Sequence, residues 1–431
     1  MKRVLLYLVI ILLVNISFLF SPKPIEGKGT WYIEYIILND YMGFPINIDS
    51  YEFLHASIKP SLLLKNQSVR QARPVYIWLA SGIGYSLHTL SMPLHNNLYD
   101  FLKLHFSGKY NSKQLQKATL YGSHYMGYIL LNLFIMVLSA FLFEKCLLKI
   151  SRTKRVSTIL VCFLLIFLNS HPISKAFFWT AHQQMFSVFC PILCIYIGLN
   201  RERFLNSNYR LFTMSILCGL LLLLYGSFLL LLPLLLCSLL LQRYQAHNYN
   251  IAYLLGPVLT AIGLFFVPYI IWVSVLKLNN VRFYNHELEH YRELIWMVDA
   301  WKISPSQFFK SLFKNLQLYI ATFPYLLLYI LVLLIPLIIY KVINPEIFKG
   351  ISTVRDKEIL AFVFFIFLGF FALLGYYVDR LTFSLTPPIL LFIGCLLVLN
   401  KAKKFLWDDI VLIVVAVGWH IYNITSYGPF S

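Results

Sequence analysis

Charge is scarce in this chain. Of its 431 residues, 13% are Asp, Glu, Lys or Arg, while 59% are hydrophobic. A soluble domain carries about 25% charged residues, so there is too little charge to cover a water-facing surface. That shortage excludes a cytosolic enzyme, a disordered tail protein and a secreted disulfide scaffold. Acidic residues are the scarcer sign, 18 against 36 Lys and Arg, for a net charge of +18. Cysteine is sparse as well. The seven cysteines, at 146, 162, 190, 194, 218, 237 and 395, lie in or beside apolar segments and imply no disulfide framework. Cys190 and Cys194 share a helix face, but two thiols are too few to hold a metal. The chain has no nucleotide-binding loop, no internal repeat of about 20–50 residues and no low-complexity tract beyond its hydrophobic bias. It also lacks the period-two alternation of a transmembrane β-barrel.

What is present is a series of apolar runs of about 17–25 residues, each long enough to cross a bilayer as a helix. The mean hydropathy is +0.71. Lys2 and Arg3 precede an apolar run from Val4 to Phe20. No small-residue cleavage site follows, so the run reads as a retained first helix with its N-terminus inside. A polar segment from Ser21 to Arg73 comes next. Further apolar helices are expected at 119–143, 156–169, 178–199, 211–225, 227–241, 251–277, 317–340, 358–377, 384–400 and 409–424. As one helix, 211–241 would run about 46 Å at 1.5 Å per residue, more than a bilayer core of about 30 Å. Tyr225-Gly226-Ser227 is the natural break.

The stretch Pro74–Leu94 is long enough to span but holds Ser81, Gly82, Gly84, Ser86, His88, Ser91 and Pro93. Charge decides its placement. If it does not cross, Lys2, Arg3, Lys145, Lys149, Arg152, Lys154, Arg155, Arg201, Arg203, Arg210, Arg243, Lys341, Lys349, Arg355, Lys357, Lys401, Lys403 and Lys404 all fall inside. The short outer turns then hold only Lys175 and Arg380, in accord with the positive-inside rule. The fold class expected is therefore an all-α polytopic membrane protein of about 11 transmembrane helices with two large outward loops. The first loop, 21–118, contains an interfacial helix at 74–94; the second covers 278–316. The whole of 1–431 forms one integral membrane domain. The basic excess in a soluble protein would suggest nucleic acid; here it sorts with the membrane, and no nucleic-acid partner is expected.

Three patterns carry chemistry. In the first loop, Asp49 and Glu52 stand three apart, on one face if helical. Such carboxylates serve as a general base and an orienting partner, or as the polar face of an exposed amphipathic helix. Arg70 and Arg73 end the same loop where an interfacial helix begins; their planar forks suit a lipid phosphate, with interfacial anchoring as the alternative. In the second loop, His286-Glu287-Leu288-Glu289-His290 fits H-E-x-x-H, the pattern of zinc proteases. Zinc there would need a third protein ligand. Glu293 and Asp299 are unusually close candidates, so the protease is a minor alternative. An outer-surface helix over the cavity is the preferred reading.

Asp49-Ser50-Tyr51 with Ala56, the surface segment Arg73-Pro74-Val75-Tyr76-Ile77-Trp78, and Tyr128-Ile129-Leu130-Leu131-Asn132-Leu133 follow one another in a telling order. So do Asn169-Ser170-His171-Pro172 with Lys175 and Trp179, Ser227-Phe228 through Pro233, and Arg380 followed by Pro387-Pro388. In order and sidedness these resemble the glycosyltransferase C superfamily, polytopic enzymes that use polyprenyl-phosphate-linked sugars and include protein O-mannosyltransferases and lipid A aminoarabinose transferases. The similarity covers roughly residues 1–245 and 376–395. It departs from the superfamily at Ser50, where many members carry a second acid, and at Tyr225-Gly226, where a Lys-Glu pair is usual. The resemblance implies an inverting glycosyltransferase that moves a sugar from a polyprenyl phosphate to a glycan, lipid or protein acceptor, in a bacterial inner membrane. Asp49 and Glu52 would be the catalytic pair. Arg70, Arg73, His171, Lys175 and Arg380 would hold the substrate, with snorkelling the alternative for Lys175 and Arg380. No cofactor is expected, and a divalent metal remains open. A lipid-linked oligosaccharide flippase or transporter and a polysaccharide polymerase are the competing readings. A flippase predicts ionisable residues deep in the spans, where this chain has mainly Asn132, His182, Gln183 and Gln184.

Overall fold

The computed structural model describes residues 2–21, 32–37, 43–106, 112–153, 155–245, 251–343, 356–400 and 406–426. Five helices are long and apolar enough to cross a membrane: Lys2–Phe20, Lys117–Ile150, Leu255–Leu278, Lys357–Leu374 and Asp379–Leu399. A sixth crossing arises if the bent pair Pro305–Ile320 and Pro324–Tyr340 counts as one span. Thr158–Asn169, Gln183–Leu199, Asn208–Leu222, Gly226–Gln242 and Asp409–Thr425 are shorter apolar helices. The chain is an integral membrane protein with a helical body. One small antiparallel hairpin, Tyr32–Ile37 with Gly43–Asn47, precedes the helix Ile48–Ile58.

The helix Ser112–Ile150 is the spine. At 1.5 Å per residue it runs about 58 Å, well beyond a bilayer core of about 30 Å. Its first turns therefore project past the apolar layer, where they pack on the helices Ile48–Ile58 and Pro74–Ser91. Close approach to the second depends on glycine. A Cβ on Gly127 would stand 3.1 Å from the Ala80 carbonyl oxygen, and one on Gly84 2.6 Å from the His124 ring. Where the spine enters the apolar layer, the Asn132 side-chain amide donates to the carbonyls of Phe178 (2.9 Å) and Thr180 (3.1 Å). That bond fixes the turn between Thr158–Asn169 and Phe186–Leu199 against the spine.

The helix Pro74–Ser91 is not among those long and apolar enough to cross. Tyr76, Ile77, Ala80, Ser81 and Gly84 face inward, while Trp78 and Tyr85 are exposed. The 211–241 run does break where the sequence placed the break: Asn208–Leu222 ends, a 3-10 turn covers Gly226–Leu230, and Leu231–Gln245 follows. The expectation of one helix at 317–340 needs correction. An amphipathic helix Pro305–Ile320 and an apolar helix Pro324–Ile343 meet there, bent by 46°. Pro324 lacks a backbone N–H and disfavours helical geometry at Phe323, so the apolar run is interrupted where composition alone shows continuity.

The two polar segments are latched together. Gln71 donates its side-chain amide to Leu63 O (2.9 Å) and Lys65 O (3.1 Å), and its Oε1 accepts from the Tyr284 N–H at 2.6 Å. Its own carbonyl accepts from Trp272 Nε1 at 2.8 Å. Asn66 Oδ1 accepts from the Arg282 N–H at 3.0 Å. On the other side, the Leu294 N–H donates to Leu374 O (2.9 Å) and Trp296 Nε1 to Leu373 O (2.8 Å). Residues 281–304 thus bridge from the first polar segment to the C-terminal end of Lys357–Leu374.

Candidate functional site: a carboxylate and cation cluster

Asp49 lies in the first turn of Ile48–Ile58. A carboxylate is favoured there by the unpaired N–H groups and the helix dipole. The rest of that helix explains its direction. Phe53, Leu54, Ala56 and Ser57 are buried, and Tyr76 and Tyr128 close on the Phe53 ring with centroids at 5.5 and 6.0 Å. Tyr128 Oη also donates to the Phe53 carbonyl at 2.9 Å. With the helix so seated, Asp49 faces three cationic or protonatable groups from three parts of the chain. Arg70 forms an ion pair with Oδ1. His182 Nε2 stands 3.3 Å from Oδ2, and Arg380 Nη1 4.0 Å from Oδ2.

The tautomer of His182 follows from its cap. Its Nδ1 accepts the Gln184 N–H at 3.0 Å, so in the neutral ring the proton sits on Nε2 and is donated to Asp49. The Arg70 guanidinium lies over Phe53, 4.5 Å from the ring centroid. Burial opposes ionisation of Asp49, but the His182 hydrogen bond and the charges of Arg70, His182 and Arg380 outweigh it. They hold the carboxyl well below the usual carboxylate range.

Arg73 is the second anchor. It ends the first polar segment as the residue before Pro74, and it forms an ion pair with Glu287 of the second. Burial raises the Glu287 carboxyl, yet Arg73 and then Arg70 bring it below its ordinary value. Nearby, Glu293 behaves oppositely. Burial, and then the Glu287 charge, push it up to about 7 against weaker opposing pulls from Arg73 and Arg380.

Asp49, Arg70, Arg73 and Arg380 are thus brought into one cluster from among the residues singled out in the sequence. Glu52 is not brought in. It sits half-buried one turn on and, among the described residues, makes no ion pair with those arginines. Asp49 and Glu52 do share a face of Ile48–Ile58, three residues apart, but it is Asp49, in the first turn, that meets Arg70 and Arg380. Lys175 is spent elsewhere: its Nζ donates to the carbonyls of Asn423 (3.1 Å), Ile424 (3.4 Å) and Ser426. It caps the end of Leu406–Thr425, as a cation at a helix C-terminus should, and burial draws it down to about 8. His171 caps Pro172–Phe177 by accepting the Ile173 N–H at 3.1 Å, and its ring stacks on Phe383 with centroids 4.2 Å apart. Asp40 lies outside the described residues.

The zinc-protease pattern takes a different form from the one its spacing suggests. The helix there spans only His286–Glu289, so the motif ends beyond it. Glu287 is engaged by Arg73, and the His286 and His290 rings stack with centroids 4.8 Å apart. His286 Nδ1 also lies 3.0 Å from Tyr284 Oη. Among the described residues no group of three His, Cys, Asp or Glu side chains is placed to hold a metal ion.

Sequence reasoning missed three members of the cluster. From sequence, His182 reads as one of the few polar residues within the apolar segments, Glu287 as part of a protease motif, and Glu293 as a possible zinc ligand. Their pairings span 133 and 214 positions in the cases of His182 with Asp49 and Glu287 with Arg73, and no local spacing encodes that. Comparison with protein families, with curated proteins and with solved structures finds no match to this chain.

Proposed function

We propose that the chain is a membrane glycosyltransferase of the glycosyltransferase C type. It would take a sugar from a polyprenyl phosphate and attach it to an acceptor at the outer face of a bacterial inner membrane, with eleven crossings and an inside N-terminus. The observation that carries this reading is Asp49. An ionised carboxylate is fixed at a helix start and surrounded by Arg70, His182 and Arg380, with Arg73 and Glu287 next to it. Phosphoglycosyl chemistry needs both signs close together. Cations stabilise the charge that grows on the departing phosphate, and a carboxylate orients the attacking hydroxyl.

The roles divide by how fully each cation is used. Arg70 is buried and tied to Asp49, so it orients the carboxylate. Arg380 is partly exposed and, among the described residues, its ion pairing is the 4.0 Å contact with Asp49, which leaves donors for a phosphate. Arg73 keeps donors beyond those given to Glu287. Lys175 and His171 support the turn behind His182.

The test is transfer from a panel of labelled polyprenyl-phosphate sugars in membranes carrying the chain, compared with membranes from a deletion strain. The expected result is chain-dependent transfer, and a lipid-linked sugar that accumulates on deletion. Deletion membranes with the same transfer and no accumulated lipid-linked sugar would overturn the reading.

A further inference from the structure

We infer that the helix Pro305–Ile320 lies along the membrane surface and binds the headgroups of anionic phospholipids, a role that does not depend on the transferase reading. The helix is not needed to complete a crossing. Pro324–Ile343, which follows it, has 20 residues, or about 30 Å at 1.5 Å per residue, enough to cross a bilayer core by itself. Pro305–Ile320 meets it at a bend of 46°. Carrying Pro305–Ile320 into the bilayer would place Lys310 and Lys314 in hydrocarbon, where an ammonium group is costly.

The helix has three distinct sides. One side faces the protein. The Trp296 ring stacks on Phe308 with centroids 6.0 Å apart, and Trp301 meets Phe308 edge-on at 5.5 Å. One helix end is fixed in the same way: Tyr319 is buried, with its ring 5.6 Å from that of Tyr377. A second strip is apolar and outward. Phe309, Phe313 and Ile320 share it at helical spacing, and they are 53%, 64% and 65% exposed. The third strip is cationic. Lys310 and Lys314 each follow a phenylalanine of the apolar strip, about 100° further round the helix, and both are exposed. Lys302 is exposed at the end of the preceding helix, Ile295–Ile303, between exposed Trp301 and Ile303. Pro305–Ile320 contains no acidic residue, and among the described residues the three lysines make no ion pair.

This order of sides suits the boundary between headgroups and acyl chains. Aromatic and aliphatic side chains enter the top of the acyl layer while neighbouring lysines stay with the phosphates, their stems long enough to reach outward. Beyond the bend, Pro324–Ile343 exposes Leu327, Leu331 and Ile338, which face acyl chains in a crossing helix. Apolar side chains therefore point outward on both sides of the bend. Three unpaired ammonium groups beside such a strip favour lipids with net negative charge over zwitterionic ones.

The experiment uses the full chain with its native cysteines replaced and an environment-sensitive fluorophore on a single cysteine at Phe313. The chain is reconstituted into vesicles of phosphatidylcholine and phosphatidylglycerol, one or the other carrying a nitroxide quencher high on its acyl chain. Acrylamide serves as the aqueous quencher. The expected result is strong quenching by nitroxide lipid, little by acrylamide, and a several-fold preference for phosphatidylglycerol as the quenching lipid. Replacing Lys302, Lys310 and Lys314 with Gln should remove that preference, each lysine contributing a factor of about five or less. Replacing the same three with Arg should keep it, and high salt should weaken it. Equal quenching by the two lipids, or a preference that survives the three Gln changes, would overturn the anionic-lipid assignment. Access to acrylamide without lipid quenching would turn the strip toward water and overturn the surface placement. Shielding from both quenchers would mean that protein, a second copy or another chain, covers the strip, and would overturn it too.

Discussion

Arg73 and Glu287, 214 positions apart in the chain, meet as an ion pair that joins the first polar segment to the second. Their side chains are only 13% and 21% exposed, so solvent screens the pair little. Arg73 also stands directly before Pro74, which opens the helix Pro74–Ser91. The pair therefore ties the start of that helix, which packs on Ile48–Ile58 beside Asp49, to the second polar segment.

Removing one partner from such a pair leaves an uncompensated charge, which costs about 3 kcal/mol or more. Glu287→Gln and Arg73→Met should each lower the melting temperature of the detergent-purified protein. The double variant should recover much of the loss, because no lone charge remains. Equal and additive losses in the double variant would show that the two side chains do not act as a pair.

Sidedness has a direct check. With the native cysteines replaced, a single cysteine at Lys59 should react with an impermeant maleimide from outside intact cells. One at Arg155, in the basic turn after Ser112–Ile150, should react only after permeabilisation. Labelling of both positions from outside would make Pro74–Ser91 a crossing helix, and labelling of Arg155 but not Lys59 from outside would invert the topology and place the Asp49 cluster on the inner face.

Much of the body was legible because hydropathy reports burial in lipid directly. The break at Tyr225-Gly226 and the start of a helix at Pro74 could be read from glycine, proline and the apolar pattern. The Asp49 and Arg70 partnership was half legible, as both types were singled out in one segment. The rest was hidden for physical reasons. The bend before Pro324 lies inside an unbroken apolar run. Lys175 sits on a turn, as a phosphate ligand would, but its amine was claimed by backbone carbonyls of the last helix. His182 and Glu287 find their partners only after helices far apart in sequence have packed.

A metal measurement bears on the second segment. The H-E-x-x-H helix is four residues long, and its Glu is held by Arg73. Purified protein should carry no stoichiometric zinc, and His286→Ala should not change its metal content. One zinc per chain, lost in His286→Ala, would make the protease reading the leading one.

Glu293 makes stability depend on pH with a definite sign. Its carboxyl titrates near 7 in the folded chain and at 4.5 ordinarily. Between those values the folded state holds more proton than the unfolded state, so its stability falls as pH rises. The contribution is fully present below about pH 4.5 and is lost as pH climbs through about 7. Glu293→Gln should therefore melt higher than the wild type at pH 8 and nearly together with it at pH 5. A gap that is the same at both pH values would mean the carboxyl does not titrate in this range.

Asp49 gives the sharpest test of the site. Its low proton affinity means that it stays ionised across pH 5–8, so replacing it removes a permanent negative charge from among Arg70, His182 and Arg380. Asp49→Asn keeps the shape and the first-turn position, and the site lies outside the apolar helices, so expression and membrane insertion should be unchanged. His182 would lose its charged acceptor, and Arg70 would be left buried over Phe53 without a counter-charge. Sugar transfer should fall by about 10²-fold or more, the scale of a carboxylate acting on the reacting groups. Glu52→Gln, one turn away and outside the cluster, should cost far less. Full transfer by Asp49→Asn, alongside loss in Glu52→Gln, would move the functional carboxylate one turn along the helix and disconnect the arginine cluster from the chemistry.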